Sequence, residues 1–243
     1  MRINRVHVAE PIAGRQTCDL SGAAAGHVAR VLRLRPGDPL VLFDGNGGEY
    51  AATITALDRD RVTVRVGEHL AVDRESPLGI TLVQGISRGA RMDVVVQKAT
   101  ELGVRHIVPI TTEHSVARND EHQMRRKHER WRAIAIAACE QCGRNRVPDV
   151  RLPVEWRNWL AARVPAAASL VLSLRSRTRL VTALTAAPTV ELLIGPEGGL
   201  TPEEEEEALG AGFRDVNLGP RILRTESAAL AAIAVIQHQA GDL

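Results

Sequence analysis

The chain has 243 residues, of which 44% are hydrophobic and 25% charged, and its formal net charge is +2. This ordinary globular composition argues against disorder and allows one large domain or two unequal ones. No apolar run approaches the roughly 18 residues of a membrane span, and the first residues lack the apolar core of a signal peptide. Three cysteines are too few for a disulfide scaffold and fit a reducing compartment. We therefore expect a cytoplasmic protein with no membrane partner.

The N-terminal part of the chain has the pattern of a small β domain. Three predicted strands, each preceded by a turn rich in glycine, proline or aspartate, cover residues 39–43, 49–55 and 61–66. The third strand alternates strictly, which places Val62, Val64 and Val66 on one face. One helix is predicted over residues 23–31. Short strands at this spacing predict a small antiparallel barrel.

The pattern changes after a polar linker at residues 71–77, and strands then alternate with helices. Predicted strands cover residues 80–83, 104–110, 170–174, 190–194 and 213–218, and predicted helices cover 91–102, 133–142 and about 227–237. A basic segment, residues 118–132, leads into the second of these helices. Such alternation predicts an α/β domain with a mainly parallel sheet. We place the boundary between the two domains at residues 72 and 73.

A glycine-rich loop, residues 194–199, follows the buried strand 190–194. Thr201, Pro202 and Glu204 then form the start signal of a helix, with a predicted capping box. Glycine lets a ligand approach the backbone closely, and ligands of open α/β sheets bind beyond the carboxyl ends of the strands. No phosphate-loop or dinucleotide pattern occurs, and the glutamates at 203–207 disfavour a phosphate. The residues alone leave two interpretations open, a ligand loop and a tight turn.

A second loop, residues 218–228, also joins a strand end to a helix through a Gly-Pro turn. The following residues, 229–236, are apolar on nearly every face. This helix should be buried on all sides, against its own core or against a second copy of the chain. Arg221, Arg224 and Glu226 cluster at the helix start, where they could line a ligand crevice or simply be solvated.

Together the two loops resemble those of the ribosomal RNA small subunit methyltransferase E family, which belongs to the SPOUT superfamily. Further similarity lies in Ser87 and Arg88 and in the segments 27–33, 97–104 and 140–144, so that it covers essentially the whole chain. Ser227 is a mild departure from the family's pattern.

The resemblance implies an α/β fold in which residues 73–243 form a SPOUT methyltransferase domain with a trefoil knot. Residues 1–72 would form a PUA-like RNA-binding β-barrel. The implied reaction is methylation of N3 of one uridine in 16S ribosomal RNA, within the small ribosomal subunit, with S-adenosyl-L-methionine as cofactor. The implied assembly is a homodimer, and no metal is implied.

The family's knot would gather the loops around residues 172–174, 194–199 and 218–228 into one cofactor pocket. The residues that we expect to bind the cofactor are Leu172, Ser173, Ile194, Gly195, Pro196, Glu197, Gly198, Gly199, Leu218, Gly219, Ile222 and Leu223. Arg224, with Arg221 as a possible helper, is the candidate for stabilising the uridine anion, because a fixed cation suits that charge. Glu226 could act as a base, hold the arginine, or only stabilise the helix N-terminus.

RNA would be bound through arginines. Almost all of the Lys and Arg residues of this chain are arginines, since lysine occurs only at 98 and 127. Arginine suits phosphate, although GC-rich coding produces the same bias. The candidate RNA-binding residues are Arg30, Arg33, Arg88, Arg126 and Arg144. Two further functions remain open: a non-catalytic RNA-binding or ribosome-assembly module, and a SPOUT methyltransferase that acts on another RNA. The C-x-x-C pair Cys139 and Cys142 lacks the partners of a zinc or redox site, so we interpret it as helix packing.

Overall fold

The computed structural model describes residues 3–115, 120–184 and 187–243. The described residues form two compact units. The first contains the chain up to Glu75 together with Cys139–Val147, and the second contains Ser76–Ala138 and Pro148–Leu243. The sequence prediction placed all residues after 72 in the second domain, whereas the segment Cys139–Val147 belongs to the first unit.

The first unit is built on a five-stranded sheet in the order β1-β3-β4-β5-β2. Its elements are β1 (Asn4–His7), β2 (Thr17–Ser21), α1 (Gly22–Gly26) with a π-helical continuation (His27–Val31), β3 (Pro39–Phe43), β4 (Glu49–Leu57) and β5 (Arg61–Leu70). Val62 and Val64 of the alternating strand are fully buried in its core. The prediction of a wholly antiparallel sheet is wrong at one position, because β1 pairs with β3 in parallel.

The second unit contains a seven-stranded sheet in the order β12-β10-β11-β6-β7-β8, with β9 also paired to β7. Its elements are β6 (Gly79–Gly85), α2 (Arg91–Glu101), β7 (His106–Thr111), α3 (Glu121–Cys142, whose last residues belong to the first unit), β8 (Asp149–Val150), β9 (Val154–Glu155), α4 (Trp156–Ala162), β10 (Ala168–Leu172), α5 (Leu180–Ala183), β11 (Thr189–Ile194), α6 (Pro202–Gly210), β12 (Arg214–Val216) and α7 (Thr225–Ala240). Every pairing of these strands is parallel, which confirms the predicted α/β architecture.

Two helix boundaries follow local signals in the sequence. Thr201 caps α6 by accepting from the backbone nitrogen of Glu204, whose side chain bonds back to the Thr201 nitrogen, as the predicted capping box requires. Gly103, with φ of 82°, lies just beyond the end of α2. Glycine suits this left-handed position because it has no Cβ.

The basic segment differs from its prediction. Residues 121–132 form the first turns of α3 rather than a separate stretch before it, and Arg118 lies outside the described residues. Over these turns the half-buried residues Met124, Lys127 and His128 continue, at helical spacing, the buried stripe of Trp131, Ala135 and Ala138.

Helix α7 is buried on one face within a single chain. Ala229, Ala232, Ile233 and Ile236 are fully buried at helical spacing. A half-exposed apolar strip lies beside this face and comprises Leu230, Ala231, Ala234 and Val235. The expectation of burial on all sides is therefore not met by the chain alone. None of the described helices is both long and apolar enough to cross a membrane.

Candidate cofactor-binding and catalytic site

The two glycine-containing loops meet beside the carboxyl end of β6, the strand that pairs with β11. Gln84, fully buried in β6, donates from Nε2 to the carbonyl oxygen of Gly195 over 3.4 Å and to Oγ1 of Thr225 over 2.9 Å. Oγ1 of Thr225 in turn donates to the Gly195 oxygen over 2.8 Å. These bonds join the loop 194–199 to the start of α7. We call this loop the donor loop, after the methyl donor that the family resemblance leads us to expect there.

Close packing explains why the donor loop needs glycine at its start. A Cβ on Gly195 would lie 2.8 Å from the backbone nitrogen of Leu200. A Cβ on Gly85, at the end of β6, would lie 2.4 Å from the nitrogen of Pro196. The loop therefore packs tightly against the end of β6. Within the loop, the backbone nitrogen of Gly199 donates to the carbonyl oxygen of Pro196, which closes a turn.

The third predicted segment, residues 172–174, reaches the site less directly. The backbone nitrogen of Ser173 donates to the oxygen of Val216, which places this segment beside the strand that leads into the second loop. The Ser173 hydroxyl, however, is bonded to Glu205 of α6 over 3.2 Å. Ser173 and Glu205 line a cleft of about 240 Å³ beside α6. Leu172 is half-buried in strand β10.

The second loop presents an open, apolar surface. Gly219 has φ of 110°, and a Cβ there would meet no atom within 4 Å. Ile222 is 80% exposed and Leu223 is 37% exposed, whereas Leu218 is half-buried. Exposed aliphatic side chains beside an open backbone are a surface that a ligand with apolar parts can cover.

A second cleft, of about 530 Å³, lies beside the donor loop and is lined by Arg88, Arg91, His114, Glu197 and Gly198. Oε1 of Glu197 accepts from the backbone nitrogen of Arg88 over 2.8 Å and from Nη1 of Arg91 over 2.6 Å. Burial acts to raise the pKa of Glu197, but these hydrogen bonds and the Arg91 charge outweigh it, so the pKa lies below its ordinary value. Glu197 is therefore a fixed anion of the loop.

The two predicted catalytic residues lie at the start of α7 but do not bond to each other. Arg224 is the N-cap residue, and its exposed side chain makes no hydrogen bond or ion pair with any described residue. Glu226 lies 3.8 Å from Nε of Arg91 through its Oε1, while its Oε2 is buried and has no partner among the described residues. The arginine that Glu226 holds is thus Arg91, which the sequence did not indicate.

Four of the five predicted RNA-binding arginines are exposed. Arg30 and Arg33 belong to the first unit, and Arg88 and Arg126 belong to the second. The prediction for Arg144 is wrong: it is 4% exposed and pairs with Glu75, with Nη2 to Oε2 at 2.5 Å. A buried guanidinium requires a partner of opposite charge, and this pair leaves it unavailable to RNA phosphates.

The cysteine pair has the environment of packing residues. Cys139 is fully buried, and its Sγ lies 3.6 Å from the carbonyl oxygen of Arg146, to which it donates. Burial raises the pKa of the Cys139 thiol to about 12. The thiolate that redox or metal chemistry uses is therefore disfavoured at neutral pH.

A parallel α/β unit with a glycine-rich loop after a buried strand, in one chain with a separate small β unit, is the organisation of a two-domain RNA methyltransferase. The family model described as RNA methyltransferase domain matches residues 74–237, and the one described as RNA methyltransferase PUA domain matches residues 20–67. The chain is 32% identical to the ribosomal RNA small subunit methyltransferase E of Buchnera aphidicola, covering 100% of this chain and 98% of that protein. The Bacillus subtilis protein of that name is 31% identical, with 92% and 90% covered. The chain belongs to the ribosomal RNA small subunit methyltransferase E family.

Solved structures agree with this assignment. A methyltransferase of Legionella pneumophila in complex with S-adenosylmethionine is 40% identical, with a TM-score of 0.96 over 100% of both chains. The ribosomal RNA small subunit methyltransferase E of Neisseria gonorrhoeae, bound to S-adenosylmethionine, is also 40% identical, with a TM-score of 0.93 over 99% of both chains. These comparisons confirm the predicted fold class, the N-terminal PUA domain and the family, whereas the trefoil knot stays a prediction.

Proposed function

We propose that this chain methylates N3 of a uridine in 16S ribosomal RNA, with S-adenosyl-L-methionine as methyl donor. The observation that carries the proposal is the meeting of the donor loop and the start of α7 through Gln84, Gly195 and Thr225. These bonds bring two of the three predicted segments side by side, which supports one shared site. The relatives' names and the two complexes with S-adenosylmethionine support the same donor and RNA class.

The residues of the two loops fit the donor. S-adenosylmethionine has apolar parts, an adenine with polar edge atoms and a positively charged sulfur. When bound, it supplies an activated methyl group. The tight backbone at Gly195 would admit close contacts from loop amides and carbonyls, and Ile222 and Leu223 would cover apolar parts. Leu218 and Gly219 would complete that wall. Among the remaining predicted binding residues, Ser173 would contribute only through its carbonyl oxygen, because its hydroxyl is bonded to Glu205 and its backbone nitrogen to Val216.

The acceptor nitrogen must lose a proton, and its charge must be stabilised as the new bond forms. The exposed guanidinium of Arg224 is a cation with no competing partner among the described residues, and it would stabilise the negative charge on the uracil oxygens. The buried, unpartnered Oε2 of Glu226 would accept the N3 proton. Arg224 and Glu226 thus divide the two tasks between a fixed cation and a base.

The finer partners belong to the same proposal. The exposed arginines Arg30, Arg33, Arg88 and Arg126 would contact the RNA backbone, giving salt-dependent binding. The small ribosomal subunit would be the natural setting of the target. The half-exposed apolar strip of α7 would be covered by a second copy of the chain in a homodimer.

The decisive experiment is transfer of a radioactive methyl group from S-adenosylmethionine to 16S RNA and to small subunits that lack the modification. Mass mapping of the product should place one methyl group on N3 of a single uridine. Methylation of a different RNA would support the alternative methyltransferase. If calorimetry detected no affinity for S-adenosylmethionine, the chain would instead be a non-catalytic RNA-binding module.

A further inference from the structure

Arg91 joins two carboxylates that come from different loops of the site. Its Nη1 lies 2.6 Å from Oε1 of Glu197 in the donor loop, and its Nε lies 3.8 Å from Oε1 of Glu226 at the start of α7. The three residues are far apart in sequence, so only the fold brings them together. Arg91 itself is the first residue of α2 and is therefore held by a regular element.

Arg91 donates a hydrogen bond to Glu197 and forms a longer ion pair, without a hydrogen bond, with Glu226. A guanidinium is planar and carries donors on several edges, so one arginine can pair with two carboxylates at once, which the single ammonium of a lysine does less readily. Glu197 has a second anchor, the backbone nitrogen of Arg88 at 2.8 Å. For Glu226, Arg91 is the only ion-pair partner among the described residues, and the second carboxylate oxygen is buried without a hydrogen bond. Glu226 thus depends on Arg91 for its orientation more than Glu197 does.

We propose that Arg91 is a positioning residue of the methyl-transfer reaction, which acts by holding the carboxylate of Glu226 in place relative to the donor loop. Arg91 does not touch the reacting atoms in this role; its effect passes through Glu226. The inference rests on the proposed function, in which the free oxygen of Glu226 receives the uridine proton. Correct placement of such a group is worth large factors in rate, because small displacements of a catalytic group are costly.

The test compares Arg91→Gln in two backgrounds, the wild-type chain and Glu226→Gln, with kcat and the KM for S-adenosylmethionine measured on 16S RNA. In the wild-type background we expect kcat to fall by about 10- to 100-fold with a smaller change in KM. In the Glu226→Gln background, the same substitution should change kcat little. Arg91→Lys, which keeps the charge but not the fork, should restore part of the rate. Arg151→Gln, which breaks an exposed ion pair with Asp149, is the matched control and should behave as the wild type.

The outcomes separate the inference from the function on which it rests. If Arg91→Gln lowers kcat equally in both backgrounds, its effect does not pass through Glu226 and the inference is overturned. Unchanged kcat in Arg91→Gln or in Glu226→Gln overturns it as well. Thermal unfolding of each variant identifies any loss of rate that comes from unfolding. If the wild-type chain transfers no methyl group, the proposed function fails and the inference fails with it.

Discussion

The hydroxyl of Thr225 donates to the carbonyl oxygen of Gly195 over 2.8 Å, across 30 residues of sequence. Both groups are buried, and the same hydroxyl accepts from Gln84. One small side chain therefore fixes the start of α7 against the donor loop. A buried hydrogen bond of this kind matters because its loss leaves polar groups without a partner and without water.

Replacing Thr225 by valine removes the hydroxyl that bonds to Gly195 and Gln84, with almost no change in side-chain shape. We expect Thr225→Val to lower the free energy of unfolding by about 1–3 kcal/mol, because the Gly195 oxygen would keep only the weak bond from Gln84. Affinity for S-adenosylmethionine should fall as well. Urea unfolding and calorimetry measure the two effects. Thr182→Val, which removes an exposed hydroxyl bonded to the Arg179 oxygen, should change neither quantity. Unchanged donor affinity in Thr225→Val would show that this hydroxyl does not shape the cofactor site.

Gly195→Ala should disrupt the donor loop sterically. The new Cβ would lie 2.8 Å from the Leu200 nitrogen and 2.9 Å from the Gly199 carbonyl carbon, and both are backbone atoms that cannot rotate away. Overpacking of this kind costs about 1–3 kcal/mol, so affinity for S-adenosylmethionine should fall by about tenfold. Calorimetry provides the measurement. Gly210→Ala, at the end of α6 with no atom within 4 Å of the new Cβ, should bind the donor normally. Equal affinities for the two variants would contradict the steric argument.

Arg224→Ala should separate catalysis from donor binding. The side chain is exposed and has no partner among the described residues, so its removal should leave stability unchanged. If Arg224 stabilises the uracil anion as proposed, loss of its charge should lower kcat by about 100-fold, with unaltered affinity for S-adenosylmethionine. Arg221→Ala, assayed in parallel, shows whether the neighbouring arginine shares the task, and Arg151→Ala is the control. Near-full turnover by Arg224→Ala with intact donor binding would remove its proposed role.

The accuracy of the sequence predictions depended on how local their causes are. The capping box at Thr201 and Glu204 was readable because its two partners are three residues apart. The parallel strands were readable because buried strands form short apolar runs. By contrast, the burial of Arg144 depends on Glu75, 69 residues away, and the pairing of Arg91 depends on Glu197, 106 residues away. Strands β1 and β2 were missed because they are short and carry polar residues at most positions.

An ion pair in the first unit yields a prediction about acid stability. Glu49 is 6% exposed and accepts hydrogen bonds from Arg5 and from Nη1 of Arg74, the latter at 3.0 Å. Burial acts to raise its pKa, but the bonds and charges of Arg74 and Arg5 outweigh it and hold the pKa below the ordinary 4.5. Since the folded-state pKa is the lower one, the pair stabilises the protein above the unfolded-state pKa. That stabilisation is lost as the pH falls through the folded-state pKa.

Glu49→Gln should therefore destabilise the protein at neutral pH and matter progressively less in acid. At pH ~7 we expect a loss of about 3–5 kcal/mol, because the substitution leaves the guanidinium of Arg5 buried without its carboxylate. Urea unfolding of the wild type and of Glu49→Gln should be measured from neutral pH to below 4.5. The difference between their free energies of unfolding should become smaller as the pH falls, since the wild type loses the same ion pair by protonation. Glu68→Gln, an exposed carboxylate on β5 with no ion pair among the described residues, should track the wild type throughout. If the difference in free energy of unfolding stayed constant with pH, Glu49 would stabilise the unit by packing and not by charge.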